Sequence, residues 1–115
     1  MHKYRTHNCS QVRISDLGSK IRLSGWVHRK RDHGQLIFID LRDNYGITQI
    51  VTDSSSKHFQ IVENLTLETV ISVKGEVIER SQETINKNLP TGDVEVNIEE
   101  LEVLSLATTL PLQVN

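Results

Sequence analysis

Three adjacent cations, Arg29, Lys30 and Arg31, are followed along the chain by one aromatic and one amide side chain, Phe38 and Gln49. Cations contact phosphates irrespective of sequence, and an aromatic ring can stack on an unpaired base. A carboxamide carries both a donor and an acceptor, which is the chemistry that reads the edge of a base. This combination predicts contact with single-stranded nucleic acid, and RNA is the better candidate.

The distribution of charge along the chain supports this interpretation. The whole 115-residue sequence carries a net charge of -2. Residues 20 to 42 carry +4, which leaves -6 for the remainder. One segment therefore concentrates the positive field, although three adjacent charges are also typical of a solvated turn.

Hydrophobic alternation predicts strands along most of the chain. Gly25 interrupts the first strand, as expected of a bulge or a barrel bend. The RKRDHG segment is interpreted as a loop, and SQETINKNLPTG as a longer one. The predicted strands cover residues 21–27, 35–43, 46–53, 69–79 and 93–103, with a short helix over 57–65 and a capped helical turn over 15–18.

Five strands with one helix between the third and the fourth indicate an all-β fold, a five-stranded OB-fold Greek-key barrel. The expected organisation is a lead-in over 1–19, the barrel over 20–105, and an exit linker over 106–115. OB-folds bind oligonucleotides on strands two and three, between the loop joining strands one and two and the loop joining strands four and five. The first of these loops contains the basic cluster, which is therefore expected on the rim of the groove.

Side-chain parity assigns a face to each candidate residue, because neighbours on a strand point to opposite sides. Phe38 shares the wetter face of strand two with Asp40, although burial at a barrel corner is the alternative. Gln49 interrupts an apolar stripe in strand three, unless it is a hydrated rim residue. Glu95 in strand five could accept from a guanine edge, or could be a solvated carboxylate.

Other classes of protein fit less well. The longest apolar run has four residues, and no secretory signal or transmembrane segment is expected. The single cysteine agrees with a reducing compartment, so we expect a cytoplasmic protein that does not enter a membrane. Several His and Asp side chains lie near the basic cluster, but without HxH or HExxH spacing, so no metal site and no catalytic residue are predicted.

The motifs CSQVRISDLG, GWVHRKRDHGQLIFIDLRDNYGITQIV and LPTGDVEV occur in this order. Together they resemble the N-terminal anticodon-binding domain of bacterial-type aspartyl-tRNA synthetase. The resemblance runs from Tyr4 to the LPL of the exit linker. Lysyl and asparaginyl enzymes share the OB-fold but differ in strands two and three.

The resemblance implies a role for each matching position on the aspartate anticodon, GUC. Phe38 stacks on the middle base and Gln49 hydrogen-bonds that uridine, while Arg31 approaches the third base and Glu95 reads the first guanine. The remaining assignments are phosphate or backbone contact by Arg29 and Lys30, support of the strand by Asn86, and tolerance at the third base by His33.

The resemblance also implies that this chain is part of a homodimeric ligase that attaches aspartate to tRNA with ATP and magnesium. Those cofactors belong to a catalytic domain outside these residues, so the chain alone is expected to need no cofactor, to catalyse nothing and to be a monomer. Its partner is then the tRNA(Asp) anticodon loop, with tRNA(Asn) a further candidate because some bacterial relatives charge both. The alternatives are a non-specific single-strand-binding module, a protein-interaction OB domain, and a small metal-dependent enzyme.

Overall fold

The computed structural model describes residues 6–105. Five strands and one α-helix follow one another in the predicted order, after a short 3-10 helix. The elements are the 3-10 helix Ile14–Asp16, β1 Lys20–Asp32, β2 Leu36–Arg42, β3 Ile47–Asp53, α1 Phe59–Glu63, β4 Val70–Glu79 and β5 Val94–Ser105.

The strands form a closed barrel in the order β1-β2-β3-β5-β4. All neighbours are antiparallel except β3 and β5, whose parallel seam closes the barrel. That seam is short and consists of the pairs Gln49–Glu95, Ile50–Val96 and Val51–Asn97. The five-stranded all-β prediction, with one helix between β3 and β4, is confirmed.

Alternating side chains fill the barrel interior. In β2, Ile37, Ile39 and Leu41 are fully buried, while Phe38 and Asp40 on the opposite face are partly exposed. The predicted parity of this strand is therefore correct. Burial of apolar surface contributes about 25 cal/mol per Å² to folding, so a slip by one residue would expose this whole row.

The basic cluster lies within β1 and not in a loop, which corrects the prediction. β1 is long because residues 20–26 pair with β4 and residues 26–32 pair with β2, so one strand turns from one neighbour to the other. A bulge between Val27 and Arg29 marks the turn, and Gly25 lies just before it. A Cβ on Gly25 would lie 2.3 Å from the carbonyl oxygen of Arg42, so this glycine permits a close approach of two strands.

Helix α1 is shorter than predicted, but it closes the barrel through Val62, and Leu65 just beyond it joins the same hydrophobic core. Its end is capped from outside, because the Lys30 ammonium donates to the carbonyl oxygens of Glu63 at 2.7 Å and Leu65 at 2.8 Å. Among residues 6–105, no helix is long and apolar enough to cross a membrane.

The predicted capped helical turn over 15–18 starts one residue early, at Ile14, and its N-cap residue is Arg13. The Asp16 carboxylate instead accepts from the Arg13 backbone N–H at 2.9 Å. Gly18 follows with a φ of +83°, the left-handed conformation in which glycine commonly terminates a helical turn. The predicted exit linker over 106–115 and the first five residues of the lead-in lie outside the described residues.

Candidate nucleic-acid interface

Phe38 separates two cavities on the outer face of the barrel, and its side chain lines both. The ring is half-buried and meets the imidazole of His33 edge to face, with centroids 5.5 Å apart at 83°. One face of a partly exposed ring next to two cavities is an arrangement on which a planar base can stack.

The first cavity, here called the arginine cavity, has a volume of about 710 Å³. Arg29, Arg31 and Arg80 line it, together with His33 and Asn86. Its two carboxylates, Asp40 and Glu83, leave an excess of positive charge. This cavity therefore favours phosphates and bases that present acceptors.

The second cavity, here called the Glu95 cavity, is smaller, at about 270 Å³. Val51 and Ile78 contribute apolar surface, while Asp53, Glu95 and Asn97 contribute polar groups. Because no lysine or arginine among the described residues lines this cavity, its charged groups are acceptors only. It therefore favours a base that presents donors.

A chain of hydrogen bonds runs from the arginine cavity to the Glu95 cavity. The Arg31 guanidinium donates to both carboxylate oxygens of Asp40 at 3.2 Å and, through Nη2, to Gln49 Oε1 at 2.6 Å. Gln49 Nε2 then donates to Glu95 Oε1 at 2.7 Å. Gln49 is 0% exposed, so the suggestion that it is a hydrated rim residue is wrong for the free protein.

Glu95 is not the solvated carboxylate of the alternative interpretation, because only 7% of the residue is exposed. Burial raises the pKa of its carboxyl group above the ordinary value, while the hydrogen bond from Gln49 and the charge of Arg80 act in the opposite direction. One oxygen receives Gln49, which leaves capacity at the other to accept from a ligand.

Arg80 belongs to this interface although the sequence did not single it out. Its Nε donates to the Val94 carbonyl at 2.9 Å, and its Nη1 donates to the Thr84 carbonyl at 2.8 Å and to Gln49 Oε1 at 3.4 Å. Its Nη2 is buried without a hydrogen-bond partner among the described residues. The one sequence feature that could have pointed to Arg80 was its position at the end of a predicted strand, next to the loop that borders the groove.

Burial lowers the pKa of the Arg80 guanidinium, and the carboxylates of Asp40 and Glu95 oppose this shift. An arginine keeps its proton under such conditions, so the residue remains a buried cation. It anchors the loop between β4 and β5 to the floor of the arginine cavity.

The other predicted contact residues divide between the two sides of β1 and the β4–β5 loop. Arg29 is exposed at the arginine cavity, on the same face as Arg31. Lys30 points the opposite way, toward the end of α1. Asn86 lines the arginine cavity, and its side chain accepts the Asn88 backbone N–H at 3.0 Å, so it also shapes the loop.

The acidic and histidine side chains near the basic cluster do not converge. Across residues 6–105, no three His, Cys, Asp or Glu side chains are grouped so as to hold a metal ion. Asp43 instead organises the β2–β3 turn, because its carboxylate accepts the backbone N–H groups of Cys9, Tyr45 and Gly46 at 2.8 to 3.0 Å.

Comparison with known families agrees with the barrel and its groove. Residues 21–104 match the family model for the tRNA anticodon domain, described as an OB-fold nucleic acid binding domain. This chain belongs to that family. The anticodon-domain family match spans all five strands and the helix, so it includes both cavities.

Similar proteins are aminoacyl-tRNA ligases. The chain is 63% identical over 99% of its length to aspartate–tRNA(Asp/Asn) ligase of Phenylobacterium zucineum, and 59% identical to that of Zymomonas mobilis. It spans only 19% of the length of each, in the N-terminal region. Its structure resembles asparaginyl-tRNA synthetase of Pyrococcus horikoshii, with a TM-score of 0.74 at 30% identity, over 91% of this chain and 24% of that one.

The same fold occurs in OBody AM2EP06 bound to hen egg-white lysozyme, with a TM-score of 0.77. The comparison covers 93% of this chain and 99% of that one, and the identity is 22%. This likeness shows that the same fold occurs as a chain of comparable size, and it is evidence for the fold alone.

Proposed function

We propose that this chain is the anticodon-binding domain of an aspartate–tRNA ligase and that it selects the GUC anticodon loop. The observation that carries the proposal is the pair of oppositely charged cavities on either side of Phe38. A strand of unpaired bases that crosses the ring places one neighbouring base in each cavity. The arginine cavity then selects a base that presents acceptors, and the Glu95 cavity selects a base that presents donors. The family match and the ligase relatives support the same function.

The middle uridine stacks on Phe38 and accepts from the second N–H of Gln49, since the first is bonded to Glu95. Because Gln49 is buried in the free protein, this contact requires the side chains that cover its amide to shift when the base binds. The first base, guanine, enters the Glu95 cavity, where its N1–H and N2 amino groups donate to Glu95. The third base, cytosine, lies in the arginine cavity, where its O2 and N3 accept from Arg31.

The remaining contacts are electrostatic or positional. Arg29 binds phosphate at the rim, and Asn86 supports the path of the strand through the β4–β5 loop. His33 lies against the edge of Phe38 and borders the third-base cavity, so it is the candidate for tolerance of tRNA(Asn). Lys30 is excluded from this set because its ammonium already satisfies two carbonyls at the end of α1.

The whole ligase would be a homodimeric cytoplasmic enzyme that activates aspartate with ATP and transfers it to tRNA. The ligase relatives imply that ATP and magnesium bind in the remainder of the enzyme, and this chain supplies affinity and selection of the anticodon.

Binding of the 115-residue chain to the aspartate anticodon stem-loop and to a stem-loop with a scrambled loop tests the proposal. Loss of a base stack costs about 1–3 kcal/mol, so Phe38→Ala is expected to weaken binding to the aspartate loop by roughly 5- to 150-fold. Ile61→Ala, at an exposed apolar residue on α1, is the matched control and should leave affinity unchanged. Equal affinity of the wild type for both loops would instead indicate a non-specific single-strand-binding module.

A further inference from the structure

The Gln49 side chain connects the two cavities, and the direction of its amide is fixed by its partners. Its Oε1 faces the guanidinium groups of Arg31 and Arg80, and its Nε2 faces the carboxylate of Glu95. A guanidinium can only donate, and an ionised carboxylate can only accept. The amide therefore cannot be reversed without placing donor against donor and acceptor against acceptor.

The same residue lies on the seam that closes the barrel. Gln49 pairs with Glu95 in the parallel β3–β5 seam, which has three residue pairs. Gln49 is 0% exposed and Glu95 is 7% exposed. In the free protein both ends of the Gln49 amide therefore contact protein groups, Arg31 at one end and Glu95 at the other.

We propose that Gln49 is a positioning residue that couples recognition of the first and third anticodon bases. Its Oε1 holds Arg31 toward the arginine cavity, and its Nε2 holds Glu95 toward the other cavity. This inference rests on the proposed function and extends the contact of Gln49 with the middle base. Substitution at Gln49 should then change selectivity at both neighbouring bases, which Gln49 does not itself contact.

Two substitutions separate the two branches of this coupling, which are the hydrogen bond from Arg31 to Gln49 Oε1 and the hydrogen bond from Gln49 Nε2 to Glu95. Gln49→Met has a similar shape but removes both hydrogen bonds, so it should disturb Arg31 and Glu95 together. Gln49→Glu keeps an acceptor facing Arg31 and Arg80 but places a second carboxylate against Glu95. It should therefore disturb the Glu95 branch alone.

The measurement uses stem-loops that carry GUC, a first-base change to AUC, or a third-base change to GUA, which avoids the GUU anticodon of tRNA(Asn). Discrimination is the ratio of dissociation constants for the changed loop and for GUC. A lost charge-assisted hydrogen bond corresponds to about tenfold, so Gln49→Met should lower discrimination about tenfold at both the first and third bases. Gln49→Glu should lower it about tenfold at the first base and leave the third within about twofold.

Thr48→Val is the matched control for a general loss of stability. Thr48 precedes Gln49 in β3, is fully buried on the opposite face, and donates to the Cys9 carbonyl at 2.8 Å. This variant should unfold at lower urea concentration than the wild type and retain both ratios. A merely structural role for Gln49 would give the same pattern in Gln49→Met.

If Gln49→Met leaves the first- and third-base discrimination ratios unchanged, the coupling is overturned. The proposed function would still be supported in that case, provided that the wild type prefers GUC. Equal loss of both ratios in Gln49→Glu would also overturn it, because the two branches would not be separable. Absence of any preference in the wild type would instead overturn the proposed function, and the coupling with it.

Discussion

Arg29 and Lys30 are adjacent cations for which the structure predicts opposite effects. Arg29 is exposed at the arginine cavity, whereas the Lys30 ammonium donates to the carbonyls of Glu63 and Leu65 at the end of α1. Strand alternation explains the difference, because neighbouring side chains on β1 point to opposite sides. We therefore expect Arg29→Met to weaken RNA binding and Lys30→Met to weaken folding.

The expected loss of stability for Lys30→Met follows from its two hydrogen bonds. A hydrogen bond to a charged group contributes about 1.5–3 kcal/mol when buried. Here one bond is exposed and the other is part-buried, so solvent screening reduces the sum. Methionine retains an apolar stem, so we expect a loss of about 1–2 kcal/mol, which corresponds to a melting temperature lower by roughly 5–10 °C.

The expected effect of Arg29→Met appears in the salt dependence of binding. Each phosphate contact on a single strand contributes about 0.7 to the slope of log affinity against log salt concentration. Loss of one contact should lower that slope by about 0.7. At low salt, a contact of about 1 kcal/mol corresponds to a roughly fivefold loss of affinity.

Two assays compare these variants. Urea unfolding, followed by the fluorescence of the single tryptophan, Trp26, measures stability. Anisotropy of a labelled anticodon stem-loop at several salt concentrations measures affinity and slope, at a temperature where both variants are folded. The reasoning is refuted if Lys30→Met lowers the salt slope as much as Arg29→Met does, or if it leaves the urea midpoint unchanged.

Three further predictions concern single side chains. Burial raises the pKa of Glu95 above its ordinary value of 4.5, so its contribution to stability is present below pH 4.5 and is lost as the pH rises through the folded-state pKa. In urea titrations, the stability of the wild type relative to Glu95→Gln should therefore fall over that pH range. A difference that stays constant with pH would contradict this. A Cβ at Gly75 would lie 2.0 Å from the Asn97 carbonyl oxygen, so Gly75→Ala should cost about 2 kcal/mol or more of unfolding free energy; a wild-type urea midpoint would show that the strands can separate there freely. Asp43→Ala deprives three backbone N–H groups of their acceptor and should lower the free energy of unfolding by about 2–3 kcal/mol in thermal unfolding. Asp43→Asn keeps one acceptor oxygen and should lose less stability, so equal stability of the two variants would argue against this role.

The side chains of the proposed recognition surface are joined to one another in the free protein. Arg31, Gln49 and Glu95 are joined in the free protein, and Arg80 ties the β4–β5 loop to the same network. Fewer side chains then need to be ordered when RNA binds, which reduces the entropic cost of association. We therefore expect selectivity to come from groups whose direction is already fixed before binding.

Local sequence determined which residues face the groove. The alternation of β2 placed Phe38 on the outer face and Ile37 inside, and the structure confirms both, because a strand has a period of two whatever its partners are. The order of five strands and one helix was sufficient for the barrel, since few topologies accommodate a single helix after the third strand. The motifs of the family supplied the anticodon assignment.

Only the tertiary structure decided the contacts that join distant segments. From the sequence, Lys30 was grouped with its neighbours as a cation. Its role as a cap on α1 depends on closure of the barrel, which brings its ammonium within hydrogen-bond distance of the helix end. Likewise, Gln49 meets Glu95, 46 residues away, because β3 and β5 form the closing seam. Alternation specifies the side of a strand on which a residue lies, whereas the pairing of strands determines which residue it meets there.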